Sequence, residues 1–100
     1  MKRQLQIALL TSICTITFAQ GPTPTNGFIP DEKTAIRVAE AVLSPIYGED
    51  KIIGERPFHA QLENGIWTVS GSLPDGWVGG VAIIRIDQRT GKIISYIHGK

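Results

Sequence analysis

From residue 31 onward the apolar positions follow two periods in turn, first that of a helix and then that of strands. Ala35, Ile36, Val38, Ala39, Val42, Leu43, Ile46 and Tyr47 fall on one half of a helical cylinder, and Lys33, Thr34, Arg37, Glu40 and Ser44 on the other. The spacing predicts an amphipathic helix that starts at Asp31, whose carboxylate can accept from the free N–H groups of the first turn while Glu32 adds favourable charge there. Pro45 lacks a backbone donor, so the helix ends or kinks shortly before Gly48.

The period then shortens to two. Asn64-Gly65 is a strong hairpin signal, because a type I′ turn needs positive φ at both central residues. Counting outward from it pairs Glu63 with Ile66, Leu62 with Trp67, Ala60 with Val69 and Phe58 with Gly71, leaving Gln61/Thr68 and His59/Ser70 on the opposite, wet face. A second hairpin is expected across Gln88-Arg89-Thr90-Gly91. Pairing Asp87 with Lys92 sets Ile86 against Ile93, Ile84 against Ser95 and Ala82 against Ile97. On this register the other face carries Arg85 against Ile94, Ile83 against Tyr96 and Val81 near His98, which is more apolar than a solvated face requires.

Between the hairpins, residues 73–80 hold three glycines and Trp77, a combination expected to form a specially bent loop that displays the indole. Helix, hairpin, loop and hairpin together predict an α+β fold, one N-terminal helix packed on a four-stranded antiparallel meander sheet in two layers.

The first residues follow neither period. Lys2 and Arg3 precede an apolar stretch from Ile7 to Phe18, and Thr17-Phe18-Ala19 places small residues three and one before a cut at Gln20. This is the pattern of a signal peptide over residues 1–19, and the stretch is shorter than the roughly 20 apolar residues that span a bilayer. Thr11-Ser12-Ile13 lacks the small residue that lipoprotein processing wants before Cys14. Residues 20–30, rich in Gly, Pro and Thr, read as a leader into a domain over 31–100. The expected location is therefore exported: periplasmic, cell-surface or secreted.

Composition narrows the chemistry. The single cysteine, Cys14, falls in the expected signal peptide, so the mature domain has neither disulfides nor thiol chemistry. Of the ten basic residues Lys2 and Arg3 also fall there, so eight face nine acidic ones, interspersed and with a formal charge of −1, which argues against nucleic acid as a partner. His59 and His98 lack a neighbouring carboxylate or hydroxyl at a recognisable spacing, and Ser70, Ser72 and Thr68 lack a nucleophile elbow. Asp87-Gln88-Arg89-Thr90-Gly91-Lys92 reads as a turn, with Gly91 left-handed, and lacks the glycine spacing of a phosphate loop. No enzyme, cofactor or metal is expected.

Several stretches carry a family resemblance: residues 35–42 running into Pro45-Ile46-Tyr47-Gly48, then Pro57-Phe58, Trp67-Thr68-Val69, Gly71-Ser72-Leu73-Pro74, Gly79-Gly80-Val81 and His98-Gly99-Lys100. Together they resemble the NTF2-fold immunity proteins of bacterial polymorphic toxin systems, over essentially the whole mature domain. The resemblance implies an NTF2-like or cystatin-like two-layer fold and a small protein that binds and occludes a toxin. The ending Asp87-x-x-Thr90-Gly91-Lys92-Ile93 is also similar to that of PepSY-type domains of secreted bacterial proteins, which implies a protease-associated binding module.

The expected contact residues are Trp77, Gly79 and Gly80 in the loop, or Ile83, Ile94 and Tyr96 on the outer sheet face, with His98 beside them. Two other readings compete. One is a small-ligand binder or enzyme with a histidine in an enclosed pocket, which His59, pointing outward on the derived register, does not favour. The other is a homodimer formed through the apolar outer face.

Overall fold

In a computed structural model, which describes residues 21–100, α1 (Glu32–Tyr47) and a short α2 (Glu49–Ile53) precede four strands. These are β1 (His59–Glu63), β2 (Ile66–Ser70), β3 (Ala82–Asp87) and β4 (Ile93–His98). They form one antiparallel sheet in the order β1-β2-β3-β4, and α1 lies across β1, β2 and β3, giving the expected α+β architecture. The expected signal peptide over residues 1–19 lies outside the described residues. Among the described residues no helix is long and apolar enough to cross a membrane.

Asp31 caps α1 by accepting from the Thr34 N–H at 2.8 Å, as its position before the first apolar residue requires. Pro45 sits in the last turn, and Gly48, at φ 104°, ends α1. That break lets α2 begin at once, an element the periodicity did not announce because it spans barely more than one turn. It drives Ile52 into the core.

Ala35, Ala39 and Leu43 from α1 pack with Ile52, Phe58, Trp67, Val69, Ala82, Ile84 and Ile86 in one core. Ile46 and Leu62, expected inside, are exposed. Leu62 sits on an edge strand, and Ile46 on the final turn of α1.

The leader expectation needs revision at its end. Ile29 is buried, its N–H donates to Gln88 O at 3.0 Å, and its carbonyl accepts the Trp67 indole N–H at 2.8 Å. Phe28 N–H likewise donates to Arg89 O. Packing therefore starts several residues before Asp31, because a buried indole N–H needs an acceptor and Ile29 supplies it.

The first hairpin has the counted register throughout, from Glu63↔Ile66 to His59↔Ser70, with Asn64 at φ 53° and Gly65 at φ 76°. The second does not. Asp87 N–H bonds Lys92 O and Ile86 faces Ile93, as expected, but Ile94 is then an extra residue on β4. Beyond this bulge the pairs are Arg85↔Ser95, Ile84↔Tyr96, Ile83↔Ile97 and Ala82↔His98. The uninterrupted count was thus one residue out, and one residue exchanges the two faces of a strand. Tyr96 and His98 turn to the helix side, where Tyr47 packs against both rings, and Ile97 takes the outer face beside Ile83.

Candidate partner-binding site

Residues 71–81 link the hairpins, and their base is held by a carboxylate that the sequence pattern did not single out. Glu55, the one buried charged residue among those described, lies just past α2. Its Oε1 accepts the Ala82 N–H at 2.7 Å and its Oε2 lies 2.7 Å from His98 Nε2. The other ring nitrogen, Nδ1, lies 2.7 Å from Gly99 O, a carbonyl that can only accept, so Nδ1 carries a proton and donates. Both nitrogens of His98 are thereby engaged, and one carboxylate joins the start of β3 to the end of β4.

The backbone closes tightly around this pair. The Ser72 N–H donates to Glu55 O at 2.7 Å and the Ser72 hydroxyl to Pro57 O at 2.6 Å, tying the loop to the segment that follows α2. A Cβ at Gly71 would lie 2.6 Å from Glu55 Oε1, and one at Gly80 would overlap the backbone of Gly99. Only glycine permits those approaches. On the other side, Arg56 grips Glu40 of α1, with Nη2 2.7 Å from Oε1 and Nε near both carboxylate oxygens.

From this fixed base the tip of the loop projects. Residues 74–77 form a turn in which Trp77 N–H donates to Pro74 O at 3.1 Å and Gly76 takes φ 82°. Trp77 is 70% exposed and Val78 95% exposed, so the indole stands out from the core and does not fold back over it. Between the loop and α2 runs a groove of about 360 Å³, with Asp50, Lys51 and Glu55 on one side and Leu73, Trp77 and Val78 on the other.

The expected site residues separate on this geometry. Trp77, Gly79 and Gly80 line the groove, and His98 stands behind it through Glu55. Ile83 is on the outer face and Tyr96, against expectation, on the inner one, its ring 6.5 Å from that of Tyr47. Ile94 is the bulged residue and is exposed. The patch of Ile83, Ile94 and Tyr96 therefore does not exist as one surface. Glu55, Leu73 and Val78 were missed. The one available signal for Glu55 was the need of His98 for a partner, and nothing in their separation of forty-three residues reveals the pairing.

A model of the family described as NTF2 fold immunity protein matches residues 34–100, which include every residue of this base and groove. The chain belongs to that family. Membership supports an immunity-protein role in general, and with it a binding protein. The chain is 29% identical over 83 residues, 82% of its length, to the uncharacterized protein YhhH of Escherichia coli strain K12. It is 33% identical over 73 residues, 72% of its length, to the uncharacterized protein YbbC of the same strain. The matches span 65% and 60% of those proteins. No solved structure matches the chain.

His59 is exposed and paired with Ser70 on the outer face, and among the described residues no group of three or more His, Cys, Asp or Glu is placed to hold a metal ion.

Proposed function

We propose that this protein neutralises a cognate bacterial toxin by seating Trp77 and Val78 in a pocket of the toxin and covering the toxin's functional surface by steric occlusion. The observation that carries this reading is the contrast within one loop. Its tip presents two exposed apolar side chains, while its base is fixed by Glu55, His98 and close-packed glycine backbone. An anchor displayed on an ordered base loses little conformational entropy on binding, which is what a tight inhibitor needs. Family membership supports the immunity role, and the basic and then apolar N-terminal pattern supports an exported protein that meets its toxin in the periplasm or at the cell surface.

Proton chemistry on His98 is disfavoured, since neither ring nitrogen is free to face a substrate. The test is capture of a partner by the native protein, followed by titration of that partner against variants. Trp77→Ala is expected to weaken binding at least about thirtyfold, the effect of losing a central aromatic anchor. Tyr96→Ala, on the inner face, is expected to leave it nearly unchanged. A toxin bound equally well by both variants would move the contact surface away from the loop, and a toxin left active in the complex would remove occlusion as the mechanism.

A further inference from the structure

The sheet has two edges, and they are built differently. β1 reads His59-Ala60-Gln61-Leu62-Glu63, with Gln61 and Glu63 on its solvated face, so a strand approaching that edge meets polar and charged side chains. β4 reads Ile93-Ile94-Ser95-Tyr96-Ile97-His98, with no acidic residue, lysine, arginine or proline, and among the described residues nothing pairs with its outer edge. Natural proteins usually guard such an edge with charge, proline or a cover. Here the bulge at Ile94 disturbs only the start of the strand, and Ser95 to His98 runs regularly against β3.

Both faces of this edge are also unusually apolar. Ile97 is 60% exposed on the outer side, beside Ile83, and Tyr96 is 48% exposed on the inner side, where α1 lies chiefly over β1 to β3 and meets Tyr96 only through Tyr47 at its end.

We infer that β4 pairs antiparallel with β4 of a second copy of this chain, giving a two-fold dimer with a continuous eight-stranded sheet. Three features select a second copy as the occupant. The strand carries no acidic, lysine or arginine side chain, so self-pairing opposes no such like charges. A two-fold axis at Tyr96 sets the two Tyr96 rings opposite one another on the inner face and Ile97 beside Ser95 of the other copy on the outer face, so surface left open in one copy packs against the other. Both outer edges are unpaired among the described residues, but only β4 lacks a charged Asp, Glu, Lys or Arg side chain, so pairing through β4 closes at two copies, whereas two unguarded edges would propagate a fibre. The inference rests on the sheet edge alone and stands or falls independently of toxin binding.

Molecular mass of the full-length protein in dilute solution, by sedimentation or light scattering over a hundredfold concentration range, tests it. The native protein is expected at twice the chain mass, and Ile97→Lys at the single-chain mass with an unchanged circular dichroism spectrum. Gln61→Lys on β1 is expected to keep the doubled mass. Amide protons of β4 that point away from β3 are expected to lose hydrogen-exchange protection on dilution. A single-chain mass for the native protein at every concentration overturns the inference, and so does a dimer that Ile97→Lys leaves intact.

Discussion

The β1–β2 hairpin pairs one residue with one residue from end to end, whereas the β3–β4 hairpin carries Ile94 as an extra residue on its second strand. The regular hairpin does what its turn prescribes: it buries Trp67 and Val69 against α1 and leaves Thr68 and Ser70 on the other face. The bulged one trades one ladder position for two side chains turned inward. Tyr96 meets Tyr47, and His98 meets both Tyr47 and Glu55. A turn controls register only up to the first bulge, and here the groups waiting on the far side of the sheet supply what the bulge costs.

Removing the group that receives His98 strains this difference most. Glu55→Ala strips the Ala82 N–H and the His98 ring of a buried partner and is expected to cost about 2–3 kcal/mol in chemical denaturation. Glu55→Gln should recover most of that, because an amide oxygen can still accept from Ala82 while its NH₂ donates to His98 Nε2. A Gln variant as weak as the Ala variant would show that charge, and not hydrogen bonding, holds this end of the sheet.

In the regular hairpin the vulnerable point is the turn. Gly65, at φ 76° with no neighbour within 4 Å of an added Cβ, pays only the conformational penalty on mutation, so Gly65→Ala should cost about 1 kcal/mol and leave the Trp77 loop undisturbed.

Deleting Ile94 is a sharper and smaller perturbation. The observed pairs Ile86↔Ile93 and Arg85↔Ser95 become consecutive, so the strand should close up with Tyr96 and His98 still inside and lose on the order of 1 kcal/mol or less. If the deletion instead unfolds the protein or separates His98 from Glu55 and Tyr47, as seen in its NMR contacts, the bulge is not where the register changes.

The smallest expected effect concerns acid. The Asp87 carboxylate accepts from the Thr90 and Arg89 N–H groups in the β3–β4 turn, bonds that hold its pKa below the usual carboxylate value, the Thr90 contact most of all. A depressed folded pKa means that its stabilisation is fully present above the ordinary value near roughly 4 and is lost as pH falls through the folded one. Asp87→Asn should therefore lower stability at neutral pH slightly and flatten the acid limb of the stability curve, the two proteins converging at low pH. A steeper acid limb in the variant would contradict the turn geometry.

Much of the fold was legible because it rests on local periodicity. The amphipathic stripe of α1, the cap at Asp31, the Asn64-Gly65 turn and the left-handed Gly91 depend on residues a few positions apart. The candidate site was legible only in its most local part, the exposed Trp77 with its neighbouring glycines. Glu55 escaped because it follows a helix of five residues and its partners Ala82 and His98 are twenty-seven and forty-three residues away.

The order of α1 and the four strands, the two-layer architecture and the displayed loop were thus determined by the sequence itself, through side-chain period, capping and turn chemistry. Which face of β4 holds Tyr96 and His98, where domain packing begins, and which edge of the sheet is left bare were decided only by the tertiary structure. A bulge costs little locally and is selected by contacts that exist only once the distant segments have met.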